Sequence, residues 1–310
     1  MKTQGIINCL KGLLFMGVIL TLGSGQVCAA PKASAWGANY FPNIELVDQD
    51  GKKVLFYDDL IKNKVFAVNF IYTRCVDSCP LETAALRKVQ KALGELMGRD
   101  VFFYTISIDG DRDNAQELKD YAAKFHVWPG WKFLTGKPED VTMLRQKLGM
   151  YRQDGKAEQS LSEHGISILM GNEKAGQWIK RSPFEETQSL VRVLSTRLQS
   201  KHVARNTVAV DSRPPAESNG EKVFRSKCEA CHSVSSEDGI GPGLKGVVGV
   251  RDRAWLKKWI KDPDQLITGK DPIALELYKK YKEIPMPNLR LQESEVEELI
   301  GYLEASDKTN

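Results

Sequence analysis

The chain has 310 residues, 42% hydrophobic and 27% charged, a globular composition whose length suits about two domains. Lys and Arg exceed Asp and Glu by 4, and setting aside Lys2 and Lys11 of an N-terminal leader leaves +2, too mild a field to argue for nucleic-acid or anionic-membrane binding. Six cysteines are too few for a disulfide scaffold in a chain this long, and four of them stand in two tight pairs.

The leader has an apolar core at 12–23 (GLLFMGVILTLG) between Lys11 and small residues ending near Ala29, as in an export signal occupying 1–29. The rival reading is an uncleaved anchor, because no charge interrupts 12–31, although 23–26 (GSGQ) dilutes its second half. Cys28 lacks a lipobox-like context. Either way the body is expected to be extracytoplasmic, in the periplasm, where unpaired thiols need a reason to persist.

From 36 to 198 strand-like and helix-like runs alternate. Residues 65–73 (VFAVNFIYT) and 101–109 (VFFYTISID) are almost continuously apolar, as in strands buried on both faces. Between them Leu81, Ala85, Val89, Leu93 and Leu96 recur at helical spacing behind Pro80, which completes a βαβ unit. Further helices are predicted at 114–124 and 138–148, a hairpin pairs 166–170 with 177–180 around Gly171 and Asn172, and 185–198 closes with a helix. Residues 199–219 lack periodicity and carry a Pro-Pro pair, so they read as a linker. From 220 to 305 the signals are helical only, at 220–228, 253–261, 271–281 and 294–303.

The second region contains CEACH at 228–232, the pattern for covalent haem c. Cys228 and Cys231, one helical turn apart, can each add to a haem vinyl group, which brings the His232 imidazole to one axial face. A disulfide beside an incidental histidine, or half a zinc site, is the rival, but no further Cys or His follows His232 to complete a zinc site. For the opposite face, Met286 is the only methionine between 217 and 310. Pro285 and Pro287 hold it in a segment unable to form a helix and bury the sulfur. A thioether opposite an imidazole raises the haem potential and suits electron transfer. His202, in the linker, is the weaker candidate for that position. The region resembles a small class I cytochrome c through this motif, the GIGPGL loop at 239–244, MPNL at 286–289 and a closing helix.

In the first region CVDSCP at 75–80 follows a buried strand and opens a helix, whose N-terminal field favours thiolate. Such a pair suits disulfide exchange, a soft metal or a structural bridge. Three intervening residues depart from the CxxC of common dithiol oxidoreductases. His126 reads as a surface or packing residue. His164 precedes a strand expected to start at the sheet end beside the cysteines; two thiolates and one imidazole suit copper, or zinc with a water. Asp109, Asp111 and Asp113 lack the later glycine and glutamate of an EF-hand and read as a solvated loop.

Over about 40–200 the chain resembles the Sco (SenC) family, the thioredoxin-like copper proteins of cytochrome oxidase assembly. The resemblance rests on FIYTRCVDSCP at 70–80, ISIDGDRD at 106–113, FLTG at 133–136 and His164 before a strand. It implies an α/β thioredoxin-like domain ahead of an all-α cytochrome c domain, with Cys75, Cys79 and His164 as ligands of one copper ion. Glu163 and Gly165 depart from the family pattern around that histidine. No proline occurs between Pro138 and Pro183 to supply the cis-proline of thioredoxins proper.

The function so implied is copper handling for an apo cytochrome c oxidase copper-centre subunit, with one covalent haem c as electron partner. Alternatives are a periplasmic thiol-disulfide oxidoreductase using Cys75 and Cys79, and a respiratory electron carrier whose first domain docks to a partner. Periplasmic electron-transfer or thiol-redox proteins are further expected partners; a membrane enters only if the leader stays uncleaved.

Overall fold

The structure, a computed structural model, describes residues 37–151, 166–198, 216 and 218–309. The expected leader, His164, His202 and most of the expected linker lie outside them. Among the described residues no helix is long and apolar enough to cross a membrane.

The N-terminal part is built on a seven-stranded sheet: β1 (Glu45–Asp48), β2 (Lys53–Leu55), β3 (Val65–Ile71), β4 (Val101–Ser107), β5 (Trp131–Thr135), β6 (Ile168–Asn172) and β7 (Gln177–Arg181), in the order β2-β1-β5-β4-β3-β6-β7. β3, β4 and β5 are parallel; β1 joins β5, and β6 joins β3, antiparallel. The helices are α1 (Ser78–Leu93), α2 (Ala115–Lys124), α3 (Pro138–Lys147) and α4 (Thr187–Arg192), the last continuing as a π-helical turn over Val193–Arg197.

β3 shows why its sequence is apolar throughout. Val65, Ala67 and Ile71 face a core shared with α1, α2 and α4, whereas Phe66, Val68 and Phe70 face one shared with α3 and the π-helical turn Phe56–Ile61. A strand buried on both faces loses the polar alternation of a surface strand. β1, β2 and β5 have no counterpart among the predicted elements. They are three to five residues long, and their pairing with sheet neighbours, rather than local pattern, makes them strands.

The hairpin turn differs from the sequence expectation. Asn172 pairs with Gln177, so the connection is 173–176 and Gly171 lies inside β6. Glycine is needed there because a Cβ would stand 2.3 Å from the Trp178 ring and 2.7 Å from Phe66.

The C-terminal part is helical. It comprises α5 (Asn219–Val223), continued by a π-helical turn over Phe224–Cys228, then α6 (Val247–Val250), α7 (Arg253–Lys261), α8 (Pro263–Thr268), α9 (Pro272–Lys280) and α10 (Glu293–Thr309). Phe224, Leu256, Ile260, Val296 and Leu299 form its core. α10 outruns the predicted 294–303 because Asp307 in its last turns accepts a hydrogen bond of 2.7 Å from the Gly246 N–H, which anchors the extension.

Candidate functional site

β3 delivers the chain to the first site. After Ile71 a short turn carries Cys75, and Cys79 occupies the second position of α1. Both cysteines are reduced, outside any disulfide, and buried, at 4% and 0% exposure. Cys75 is drawn down to about 6, first by the hydrogen bond the Cys79 thiol donates to it, then by the Cys79 and Asp77 N–H groups and the Tyr72 hydroxyl, against the opposing effect of burial. Cys79 is pushed up by that same hydrogen bond, by burial and by the Cys75 and Glu82 charges. The pair therefore holds one thiolate and one thiol near neutrality. The open end of α1 supplies the N–H groups that make this possible.

The turn is held from below by Asp113, which is fully buried and not part of a solvated loop as its spacing suggested. It accepts from the Thr73 N–H at 2.9 Å, the Thr73 hydroxyl at 2.5 Å and the Ser107 hydroxyl at 2.6 Å. Arg74 lies 3.6 Å away. Asp109 is also buried and pairs with Arg112 at 2.8 Å. Asp113 thus ties the end of β4 to the residues leading into Cys75.

Beneath the pair runs a buried polar chain. Trp131 Nε1 donates to Thr105 at 2.8 Å, Thr105 donates to Asn69 Oδ1 at 2.7 Å, and Asn69 Nδ2 donates to Glu82 Oε1 at 2.9 Å. Glu82, three positions after Cys79, is 1% exposed, and its Oε2 has no hydrogen-bond partner among the described residues. Burial lifts it to about 8, opposed by the Asn69 hydrogen bond and reinforced by Cys75. Sequence reading missed Glu82; its signal was a carboxylate at helical spacing on the apolar face that carries Leu86, Val89 and Leu93.

Among the described residues no three His, Cys, Asp or Glu side chains cluster as a metal site. The candidate third ligand His164 lies outside those residues. β6 starts at the sheet end where β3 finishes, since Val68 pairs with Leu169 in the antiparallel ladder. His126 is exposed, as expected, and takes a left-handed backbone with φ of 53°.

In the helical part Cys228 and Cys231 are unpaired, and His232 and Met286 line the same two adjoining cavities. The His232 ring is fixed by a hydrogen bond of 2.9 Å between Nδ1 and the Pro242 carbonyl, which leaves Nε2 without the proton. Burial lowers the His232 pKa, keeping the imidazole neutral. Gly241 lies against the ring face: a Cβ there would meet His232 Cε1 at 2.6 Å. Met286 lies in irregular chain between α9 and α10, as its prolines predict.

Comparison with known families places both regions. The SCO1/SenC family model matches residues 33–198, and the Cytochrome c model matches 217–307. The chain belongs to the SCO1/SenC family. It joins a thioredoxin-like Sco domain to a cytochrome c domain.

The SCO1 protein homolog of Bacillus subtilis (strain 168) is 36% identical over 158 residues, covering 48% of this chain and 79% of that protein. Protein SCO1 homolog 1, mitochondrial, of Arabidopsis thaliana is 32% identical over 127 residues, which is 40% of this chain and 37% of that protein, so the chain spans well under two thirds of this longer relative. The solved structure of a SCO1/SenC family lipoprotein from Bacillus anthracis str. Ames is 30% identical and overlaps 51% of this chain and 94% of its own, with a TM-score of 0.44.

A Sco chain with a cytochrome c unit implies a covalent haem, and the residues fit one. Two thiols one turn apart, a neutral imidazole with a free Nε2, a glycine-cleared face and a thioether on the same cavities form a suitable donor set.

Proposed function

We propose that this Sco chain is an exported protein that binds one copper ion through Cys75, Cys79 and His164 and hands it to the copper-centre subunit of apo cytochrome c oxidase. Cys228 and Cys231 would attach one haem c and His232 and Met286 would hold its iron, and the group would serve as the chain's electron partner. The observation that carries the reading is Cys75, a thiolate near neutrality at a helix N-terminus, in a chain whose family handles copper in oxidase assembly. Copper here is cargo, and two sulfurs with one imidazole suit the soft cuprous ion while still accepting the cupric one.

The chain's own residues prepare the transfer. The α1 N–H groups and the Tyr72 hydroxyl hold charge on Cys75, and Asp113 fixes the turn that presents it. Cys79 gives up its proton as a second sulfur bond to the metal forms. In the cytochrome unit, Pro242 and Gly241 hold the His232 ring at the cavity wall with Nε2 unprotonated. A haem held there supplies one-electron exchange, which matches the single electron between the two copper valences; a disulfide needs two.

The depressed Cys75 pKa also favours a second reading, a thiol-disulfide oxidoreductase acting on oxidase cysteines. Stoichiometric copper retained by the wild type after dialysis, and lost in Cys75→Ser and in His164→Ala, supports the copper reading. A wild type that retains no copper, with thiol reductase activity intact in His164→Ala, establishes the second. Normal oxidase assembly in cells carrying Cys75→Ser/Cys79→Ser removes both and leaves an electron carrier. For the haem, loss of the absorbance near 695 nm in Met286→Ala checks the axial thioether.

A further inference from the structure

The two cysteine pairs lie on either side of one interface. Leu81, two positions after Cys79 on α1, contributes to the wall of the cavity that His232 and Met286 line. From the cytochrome unit Ala230, Cys231, Ile240 and Ile284 pack against the apolar cluster that contains Cys75 and Cys79, as does Tyr72 beside the pair. Two polar links flank this contact: Lys88 on α1 reaches Glu229 at 2.6 Å, with both side chains largely buried, and Lys282 reaches His126 Nε2 at 3.2 Å. α8 approaches the same turn, since Asp264 is raised by burial and then by the charge of Asp77.

We infer that the α1 and Tyr72 face is a docking surface whose resident occupant is the chain's own cytochrome unit, and that an acceptor protein reaches the cysteine pair only when that unit leaves. Ligand exchange requires an incoming donor atom to touch the metal-bearing sulfurs. With Cys75 at 4% and Cys79 at 0% exposure, the docked arrangement gives no such access. It instead packs Cys231, which lines the cavity of His232 and Met286, against the cysteine cluster, an arrangement that would suit electron exchange. Docked and undocked forms therefore serve different steps of the proposed function.

The contact suits a reversible cover. Its apolar part is four partly buried side chains, and its polar links are one partly exposed ion pair and one exposed hydrogen bond, both of the kind that contributes little to stability. The inference rests on the copper reading only for its purpose, because the cover is measured on reduced, copper-free protein.

The experiment follows alkylation of Cys75 by iodoacetamide at pH 8 in the full-length, haem-bearing chain at low salt. At that pH the Cys75 thiolate is fully formed, so the rate reports access. Lys88→Glu sets two carboxylates face to face and is expected to raise the rate about three- to tenfold; Lys88→Glu/Glu229→Lys restores the slow rate. In the wild type, 1 M salt accelerates the reaction in the same direction. The haem absorbance per chain, unchanged in each variant, shows that folding is intact. A rate that Lys88→Glu and salt both leave unchanged overturns the inference, as does a double variant that stays fast. A wild-type rate that falls with rising protein concentration also overturns it, because the cover would then come from a second copy. Loss of copper binding alone bears on the function and leaves this outcome untouched.

Discussion

Replacing Cys79 with alanine removes the hydrogen bond that contributes most to lowering Cys75. A hydrogen bond to a charged group is worth about 1.5–3 kcal/mol, so its loss moves the Cys75 titration up by about one to two pH units from its starting point. The helix N–H groups and Tyr72 remain, which keeps the variant below an ordinary thiol. The assay is the iodoacetamide rate at the Cys75 peptide between pH 4.5 and 10, read by mass spectrometry on reduced, copper-free protein. The wild-type rate should climb with a midpoint near about 6 and level off above pH 7. An ordinary thiol, titrating near about 8.5, is still rising there. Midpoints are compared because the absolute rate also depends on access and because a low-pKa thiolate is a weaker nucleophile, by about tenfold here on a Brønsted slope of about 0.45. A wild-type midpoint at 8 or above, or an unchanged midpoint in Cys79→Ala, refutes the reasoning.

Asp113→Ala strips the carboxylate from the Thr73 and Ser107 donors and is expected to destabilise the Sco domain by about 2–4 kcal/mol; hydrogen exchange in the 72–76 turn should speed up before that in β3. Glu82, raised from 4.5 to about 8, is neutral in the fold and charged in the unfolded chain between those values. Its contribution to stability is complete below pH 4.5 and is lost as pH rises through 8, by at most about 5 kcal/mol. Glu82→Gln should therefore be relatively more stable at pH 9 than at pH 5, and equal differences from wild type at the two pH values, by denaturation followed through β3 and β4 exchange, would count against the shift. Gly241→Ala forces a methyl into the His232 ring and is expected to weaken the 695 nm absorbance and lower haem attachment, whereas Gly249→Ala, with open space around it, should do neither.

What sequence reading could reach depended on whether the cause was local. The βαβ unit was legible because β3 and β4 advertise two-sided burial in seven consecutive residues each. The attachment motif was legible because its chemistry is fixed by a spacing of three and an adjacent histidine. β5 was not, since Trp131 and Phe133 between two helices read as strand only once β4 and β1 lie beside them. Asp113 and Glu82 were hidden for the same reason: both are charged letters whose burial is decided by neighbouring strands, Ser107 on β4 and Asn69 on β3, rather than within their own segments. The hairpin turn slipped because Gly171 and Asn172 look like a turn, while the Trp178 ring assigns the glycine to a strand.

The two cysteine pairs also differ in a way that bears on metal traffic before haem is attached. Cys75 is drawn to about 6, whereas burial pushes Cys228 and Cys231 each to about 12. A thiol titrating at 12 is ionised in about one molecule in 10⁵ at pH 7, and a metal must displace its proton to bind. The first pair already holds one thiolate and meets the ion with a charge. The same residue type thus differs within one chain because α1 opens its N–H groups to Cys75, while Cys228 and Cys231 are desolvated without such donors. On the proposed reading, copper entering a folded, haem-free chain meets a far larger thiolate population at Cys75 than at Cys228 or Cys231, which favours the first pair for the metal and leaves the second for the thioether bonds of haem.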